Sequence, residues 1–312
     1  MTVHPQVQEI LDAGRDAPVP SSIEEAREAY DAGCMTYVGM AEPVDGVSDE
    51  DADGVRVRVF VPKGGSDGDP LPCVLWVHGG GWVLGTIDAY DALCRALANA
   101  AGAIVFCVDY RLAPEHRHPA PLDDCSRALE WVLRSAPEFG GDPGRVAVAG
   151  DSAGGNLAAV LARRFRSDVV FQLLVYPAVD PSCSTGSYSS CGAGNAYGLS
   201  RDQMTLCWEA YAPGDDAKRD PDAVPLLADD LAGLPPALVI CAEYDPLKDE
   251  GLAYADRLRS AGVEVASRCY DGMVHGFFRW RGGVAAAHEA MEEAAAALRD
   301  AFGSERLSPT PL

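Results

Sequence analysis

The sequence lacks several features that would each indicate a particular class of protein. It has no run of eighteen apolar residues, the length that crosses a membrane. Its first residues, MTVHPQVQEILDAGRD, lack the basic start and apolar run of a secretory signal, so we expect a cytoplasmic protein. The ten cysteines form no C-x-x-C pair and no metal-ligand cluster, which predicts free thiols and no bound metal.

Basic residues are also scarce. The chain has 25 Lys and Arg against 47 Asp and Glu, a formal net charge of −22. Such a charge repels phosphate backbones and anionic lipid, so we expect neither nucleic acid nor a membrane as partner. Residues 1–54 hold 13 acidic residues against Arg15 and Arg27, a net −11. We interpret this acidity as a solubility adaptation, with attraction of cationic substrates as the alternative.

From about residue 55 onward, short apolar runs alternate with helical patterns. An alternating run predicts a half-exposed strand at 55–62. The further predicted strands are 73–77, 103–108, 145–150, 171–176, 237–242 and 264–270, and the predicted helices are 88–101, 121–135, 153–166, 249–261 and 284–301. This alternation indicates an α/β protein with a mostly parallel central sheet flanked by helices.

Two segments lie outside this alternation. The first, residues 1–45, carries amphipathic helical patterns. The second, residues 181–225, begins as a Ser/Gly/Cys-rich loop and continues into a helix near 201–211. We expect the two segments to form a helical cap over the carboxyl edge of the sheet, with the acidic stretch 45–54 as a link. We predict that the cap consists of residues 1–45 and 181–225. The core then consists of residues 46–180 and 226–312.

A nucleophile motif lies between a strand and a helix. Residues 150–154 read Gly-Asp-Ser-Ala-Gly, after the strand RVAVA and before the helical pattern NLAAVLARRF. A G-x-S-x-G motif in this context is typical of the sharp turn that exposes a nucleophilic serine. The sequence therefore predicts Ser152 as a nucleophile.

A glycine run follows an earlier strand. Residues 78–82 read His-Gly-Gly-Gly-Trp, directly after CVLWV. Backbone N–H groups on such a loop can stabilise the negative charge that acyl transfer builds on a carbonyl oxygen. We predict that Gly80, Gly81 and Ala153 supply these donors, and that His78 maintains the loop. We also expect the bulky Trp82 to wall off an acyl pocket beside them.

The order of residues along the chain selects the base. In this arrangement the acid follows the serine and the histidine follows the acid. His275 lies in YDGMVHGFF, just after the last predicted strand, where a loop can bring it to Ser152. The other histidines precede the serine or lie in an Ala/Glu-rich helix: His4, His78, His116, His118 and His288.

The orienting acid should follow the preceding strand. ALVICAEYDPLKDEG places Asp245 at the end of that strand, before a proline. Glu243 is still close to the strand, and Asp249 falls in the first turn of a helix, where a carboxylate is ordinary. We predict Asp245, which would hold the imidazole in the right tautomer.

Five motifs together identify a family. HGGGW, DYRLAPEHRHPAP, GDSAGGN, EYDPLKDEG and DGMVHGF resemble, in this order, the hormone-sensitive-lipase-like esterases, the bacterial family IV, in the GDSAG subgroup. The resemblance implies an α/β-hydrolase fold with a helical cap, no cofactor and hydrolysis of short to medium acyl esters. It implies that the second and third glycines of the run are the oxyanion donors. Some members form homodimers through the edge strand, here 264–270.

Several functions share this constellation. The leading interpretation is a carboxylesterase with a small-molecule acyl substrate. A deacetylase or a lactonase of a biosynthetic pathway would use the same three residues, because specificity lies in the cap. A non-catalytic small-molecule receptor and a dehydratase are known variations of this family. Both are disfavoured because Ser152, Asp245 and His275 are all present.

Overall fold

The computed structural model describes residues 2–15, 17–65, 68–194 and 196–303. Its centre is one eight-stranded sheet with the order β1-β2-β4-β3-β5-β6-β7-β8. The strands are β1 Gly46–Asp51, β2 Arg56–Val61, β3 Leu71–Val77, β4 Ile104–Val108, β5 Gly141–Asp151, β6 Phe171–Val175, β7 Ala237–Tyr244 and β8 Val265–Val274. The pairs β1–β2 and β2–β4 are antiparallel and the other five pairs are parallel. The predicted mostly parallel sheet is confirmed.

Helices cover both faces of the sheet. They are α1 Pro5–Gly14, α2 Ile23–Tyr37, α3 Asp91–Ala101, α4 Ala120–Ser135, α5 Ala153–Arg164, α6 Gly186–Cys191, α7 Arg201–Tyr211, α8 Lys248–Ser260 and α9 Ala285–Ala301. One hydrophobic core lies between the sheet and α3 with α9, and the other lies between the sheet and α4, α5 and α8. The short apolar runs of the sequence form the central strands because residues on both of their faces are buried.

The acidic stretch 45–54 is not simply a link. Residues 46–51 form β1, which pairs with β2 from Gly46↔Val61 to Asp51↔Arg56. An edge strand exposed to water tolerates acidic side chains, and β2 offers them basic partners. Arg58 Nε lies 2.6 Å from Asp49 Oδ1. The sheet therefore begins one strand earlier than the alternation indicated.

Each of the two segments predicted as a cap contains two helices. The first contains α1 and α2, and the second contains α6 and α7. The short helix α6 was not predicted, because its sequence GSYSSC carries no helical periodicity. Arg27 of α2 donates from Nε to the carbonyl of Val83 at 2.9 Å and pairs with Glu115 at 2.7 Å. These contacts hold α2 against the loops that follow β3 and β4.

In the part of the chain that the structure describes, no two cysteines are bonded to each other. Eight of the ten thiols are buried, and Cys207 and Cys269 are partly exposed. Most of these cysteines occupy core positions as small hydrophobic side chains. Among the described residues, no helix is both long and apolar enough to span a membrane.

Candidate active site

The sharp turn after β5 presents Ser152 at the carboxyl edge of the sheet. Ser152 has φ 56° and ψ −118°, a conformation that non-glycine residues rarely adopt, and α5 begins at the next residue. The turn is possible because Gly154 lacks a side chain: a Cβ there would overlap the carbonyl oxygen of Val77. The Ser152 backbone N–H donates to the carbonyl of Val175 at 2.8 Å, which fixes the turn on the neighbouring strand.

The structure brings the three predicted residues of the triad together. His275 Nε2 lies 2.9 Å from Ser152 Oγ, and His275 Nδ1 lies 2.7 Å from Asp245 Oδ2. Asp245 is fully buried, and its Oδ1 accepts a hydrogen bond from the Leu247 N–H at 2.8 Å. The Tyr176 ring packs on the imidazole with centroids 4.5 Å apart. Asp245 and Tyr176 thus fix the orientation of the ring that faces the serine.

The glycine loop after β3 lies on the other side of the serine. Gly80 and Gly81 line the same cavity as Ser152, and within the described ranges their backbone N–H groups donate to no other protein group. Gly80 has φ +116°, and a Cβ there would overlap the carbonyl oxygen of Leu84. Ala153 is the first residue of α5, so its N–H has no partner within the helix. These three amides are available to a ligand.

Trp82 does not occupy the position expected for it. It is fully buried and does not line the cavity that contains Ser152. Its ring stacks on Tyr211 of α7, with centroids 4.4 Å apart and planes 3° apart, and contacts Trp208 at 4.5 Å. The backbone at Trp82 has φ 61°, and the side chain packs beneath α7 in the core. Trp82 therefore packs against α7 and does not form the pocket wall.

The cavity above Ser152 has a volume of about 480 Å³. Its walls come from both predicted cap segments and from the core. Its lining side chains include Ile23, Ala26 and Tyr30 of α2, Leu199 before α7, Met204, Leu206 and Cys207 of α7, and Val83, Leu84 and Trp280 of the core. This lining is mostly apolar, so the cavity favours uncharged carbon chains. Among the described residues, no group of His, Cys, Asp and Glu is arranged to hold a metal ion.

His78 helps to shape the glycine loop. It is fully buried, and its ring stacks on Tyr110 with centroids 4.3 Å apart. His78 Nδ1 lies 2.8 Å from the Gly79 carbonyl, and Tyr110 donates its hydroxyl to the His78 carbonyl at 2.8 Å. Burial lowers the pKa of His78, so the ring is neutral at pH 7 and the Nδ1–H donates to Gly79. These contacts agree with a structural part for His78.

Asp151 was not singled out from the sequence, although it lies next to the serine. Its carboxylate accepts hydrogen bonds from the Gly79 N–H at 2.9 Å and from the Tyr90 hydroxyl at 3.0 Å. Arg279 Nε lies 3.8 Å from the same carboxylate. Burial raises the pKa of Asp151, and the Arg279 charge opposes that rise. The variable position of the G-x-S-x-G motif was the available signal for Asp151.

Comparison with known proteins agrees with this geometry. Residues 74–279 match the family described as alpha/beta hydrolase fold. Carboxylesterase NlhH of Mycobacterium tuberculosis is 45% identical over 265 residues, 83% of this chain and 80% of the relative. An ethyl acetate hydrolase of Pseudomonas putida is 35% identical over 286 residues, 87% of this chain and 89% of the relative.

Solved structures give the same result. A hyperthermophilic esterase from the archaeon Pyrobaculum calidifontis superposes with a TM-score of 0.89 at 39% identity, covering 96% of this chain and 99% of that one. The fold, the family match and these relatives agree with the five sequence motifs. The chain therefore belongs to the alpha/beta hydrolase family, in its hormone-sensitive-lipase-like branch of ester hydrolases.

Proposed function

We propose that this chain is a carboxylesterase that uses Ser152 as nucleophile, His275 as base and Asp245 as the orienting acid. The observation that supports this most directly is the hydrogen-bonded chain from Ser152 Oγ through His275 to Asp245, at 2.9 Å and 2.7 Å, which opens into an apolar cavity. A serine next to a base that is itself oriented by a carboxylate is the arrangement that activates a weak nucleophile.

The reaction runs in two halves. His275 Nε2 accepts the proton of Ser152 Oγ as the oxygen attacks the ester carbonyl, and the imidazolium then protonates the leaving alcohol. In the second half, His275 takes a proton from water as the water oxygen attacks the acyl group on Ser152. The bond to Ser152 Oγ then breaks, the imidazolium returns its proton to Oγ, and the carboxylic acid is released. Asp245 stays ionised throughout and stabilises the imidazolium. No step requires a cofactor.

The negative charge of each tetrahedral intermediate needs a partner. The backbone N–H groups of Gly80, Gly81 and Ala153 are the proposed donors. Ala153 also opens α5, so the positive end of the helix dipole points at the same place. Removing one such donor typically lowers kcat by about 10²–10³.

The proposed substrates are esters with short to medium acyl chains, dissolved in water. The cavity volume of about 480 Å³ suits a small ester. Both helical segments contribute walls, so the site is a roofed pocket with a limited length. The Pseudomonas putida relative, named ethyl acetate hydrolase, supports short substrates.

Fluorophosphonate labelling tests the nucleophile. The wild-type protein should be labelled on Ser152 and should then lose hydrolysis of p-nitrophenyl butyrate. Ser152→Ala should resist the label and lose at least about 10³ in kcat, while its circular dichroism stays that of the wild type. Ser182→Ala, in an exposed loop, is the matched control. Labelling at another serine, or more than about a hundredth of the activity left in Ser152→Ala, would contradict the proposal.

The same preparation separates the reaction classes. An ester, a lactone and an acetyl amide with similar carbon skeletons should be compared by kcat/KM. We expect the ester to be the best substrate. If the lactone or the amide were the better substrate, the proposed triad would still hold but the proposed substrate class would be wrong.

A further inference from the structure

Arg279 is a buried cation beside the nucleophile, and the proposed mechanism does not use it. It lies four residues after His275, and its side chain is 14% exposed. Its guanidinium stacks over the Tyr30 ring at 4.9 Å and faces the Tyr90 ring at 5.8 Å. It also donates to the Cys34 thiol. Three partners of this cation are thus neutral, and the carboxylate it approaches is that of Asp151.

Asp151 connects the nucleophile turn to the glycine loop. Its two oxygens accept from the Gly79 N–H and the Tyr90 hydroxyl, at 2.9 Å and 3.0 Å. Gly79 is so close that a Cβ on it would lie 2.7 Å from Asp151 Oδ2. Gly79 directly precedes Gly80 and Gly81, two of the three proposed oxyanion donors. A change at this carboxylate therefore moves the donors relative to Ser152.

The cap takes part in the same network. Tyr30 of α2 lies 3.1 Å from Tyr90, hydroxyl to hydroxyl, and Tyr90 reaches Asp151. Arg279 lies between the Tyr30 ring and the carboxylate and lines the reaction cavity. One cation thereby contacts the cap helix and one of the residues that hold the oxyanion loop.

We propose that Arg279 is a positioning residue that keeps Asp151 in its carboxylate form, so that Asp151 holds Gly79 and the oxyanion donors in place. A protonated carboxyl keeps one strong acceptor oxygen, whereas the carboxylate offers two. An uncompensated carboxylate with 1% exposure tends to take up a proton, and a cation within about 4–6 Å opposes this. This inference rests on the proposed esterase activity.

Several other ionisable groups surround Asp151, and each is neutral or already assigned. Burial raises the pKa of each tyrosine among them and of the Cys34 and Cys94 thiols, so none of them carries a charge at neutral pH. The groups are Tyr30 and Cys34 of α2, His78 of the glycine loop, Tyr90 before α3, Cys94 of α3, Tyr110 after β4, Tyr176 after β6, and His275 with Arg279 after β8. Apart from His275 when it is protonated, Arg279 is the cation among these groups.

The sign of the pH effect follows from this arrangement. Activity needs the carboxylate, so it is lost as the pH falls through the pKa of Asp151. Removing the Arg279 charge raises that pKa further, so the acid limb of the kcat profile moves upward. A purely structural role for Arg279 would lower kcat by the same factor at every pH.

The experiment compares pH profiles of kcat for p-nitrophenyl acetate, with active sites counted by fluorophosphonate titration. In Arg279→Met we expect the acid limb at least about one pH unit higher, with kcat about tenfold lower than the wild type at pH 6 and close to it at pH 9. Arg279→Lys keeps a charge and should restore most of the profile. When Asp151 is already replaced by Asn, Arg279→Met should no longer move the acid limb of the kcat profile: Asp151→Asn and Asp151→Asn/Arg279→Met should have their acid limbs at the same pH.

Three results would overturn the inference. One is a uniform loss of kcat at all pH values, which is structural damage. The second is an increase in KM with an unchanged kcat profile, which would make Arg279 a substrate-binding residue. The third is the same shift with and without Asp151. If Arg279→Met does not fold, Arg279→Gln, which keeps a donor without a charge, is read in the same way. If the wild-type protein hydrolysed no ester, the proposed function itself would be refuted. This outcome differs from the three results above, in which the wild type is active.

Discussion

At the scale of single residues, the proposed oxyanion loop has a thiol packed directly against it. A Cβ on Gly81 would overlap the Cys207 Sγ, so the glycine and the cysteine fit each other. Cys207 also lines the reaction cavity. A reagent that attached a group to this sulfur would block the pocket.

We nevertheless expect the enzyme to resist thiol reagents at neutral pH. Burial raises the pKa of Cys207 to about 12, and the thiolate is the reactive form. Alkylation should therefore be about a thousandfold slower than for an ordinary cysteine, whose pKa is about 8.5. The measurement is residual esterase activity after iodoacetamide at pH 7.5, with Cys207→Ser as the control. Rapid inactivation of the wild type and protection of Cys207→Ser would contradict this expectation.

Residues with a positional rule could be predicted from the sequence, and residues without one could not. The order of serine, acid and histidine selected the three side chains that the structure brings together. No comparable rule exists for Arg279, since its significance comes from a partner 128 positions away in the chain, at Asp151. Trp82 was misplaced because sequence proximity to the glycines does not fix the direction of a side chain.

At the scale of elements, α7 forms one wall of the cavity and rests on Trp82. Met204 of α7 lines the cavity and is 2% exposed, whereas Trp82 does not line the cavity and packs on Trp208 and Tyr211 of the same helix. The two side chains therefore have different consequences when they are shortened.

We expect Met204→Ala to move the preferred acyl chain of p-nitrophenyl esters towards longer chains, because it deepens the pocket. Trp82→Ala should instead destabilise the fold by about 3–5 kcal/mol, as truncation of a buried aromatic residue does, with no ordered change in chain preference. The measurements are kcat/KM from acetyl to dodecanoyl esters below their micelle concentrations, and urea unfolding. If the preferred acyl chain became longer in Trp82→Ala but not in Met204→Ala, Trp82 and not Met204 would form the pocket wall.

The helix α8 carries a buried carboxyl at its start. Glu250 is fully buried, and its Oε1 accepts from the Val179 N–H at 2.7 Å and the Asp180 N–H at 3.2 Å. Burial raises the pKa of Glu250 well above its ordinary value. A carboxyl with a higher pKa in the folded than in the unfolded state binds its proton more tightly when folded.

Stability should therefore fall as the pH rises through the folded-state pKa of Glu250, and Glu250→Gln should reduce this fall. The neutral amide keeps an acceptor oxygen for the two N–H groups. We expect the loss in Tm between pH 6 and pH 9 to be smaller by at least about 2 °C in Glu250→Gln. The exposed Glu292→Gln on α9 is the control. If the wild type and Glu250→Gln lost the same Tm between pH 6 and pH 9, Glu250 would have the same protonation state in the folded and the unfolded protein.

Elements with strong periodicity were predicted within a few residues. The buried strands and α3, α4, α5, α8 and α9 follow from apolar spacing, which the core enforces. The strand β1 was missed because GVSDED is polar and gains its pairing from β2, not from an apolar face. The short helix α6 is held by tertiary contacts, including the Ser187 hydroxyl donating to the Pro246 carbonyl at 2.6 Å.

At the scale of the whole molecule, the two edges of the sheet differ in charge. The edge strand β1 ends in Asp49, Glu50 and Asp51, and consecutive acidic residues hinder pairing with another strand. The opposite edge, β8, has one charged residue, Arg268, in its exposed first half. The family resemblance suggested association through this strand, and the charge pattern favours the same edge.

We expect any dimer of this protein to form by antiparallel pairing of two β8 strands about a two-fold axis. Ala266→Asp would add a negative charge to each of the two paired β8 strands and should shift the protein to the monomer. Val47→Asp on β1 should leave the association state unchanged. Light scattering after size exclusion in 0.15 M NaCl measures both. A dimer that persists in Ala266→Asp, or dissociation by Val47→Asp alone, would contradict this expectation.

The unbonded thiols of the interior set a practical lifetime for the molecule. While the core is intact, its packing keeps the buried sulfur atoms from oxidants in solution. Once the chain opens, all ten meet air and one another, and any mispaired disulfide prevents return to the native arrangement. Without a reductant, heat inactivation then becomes one-way. The useful half-life of a stored preparation would be governed by the height of the unfolding barrier, not by the equilibrium between folded and unfolded forms.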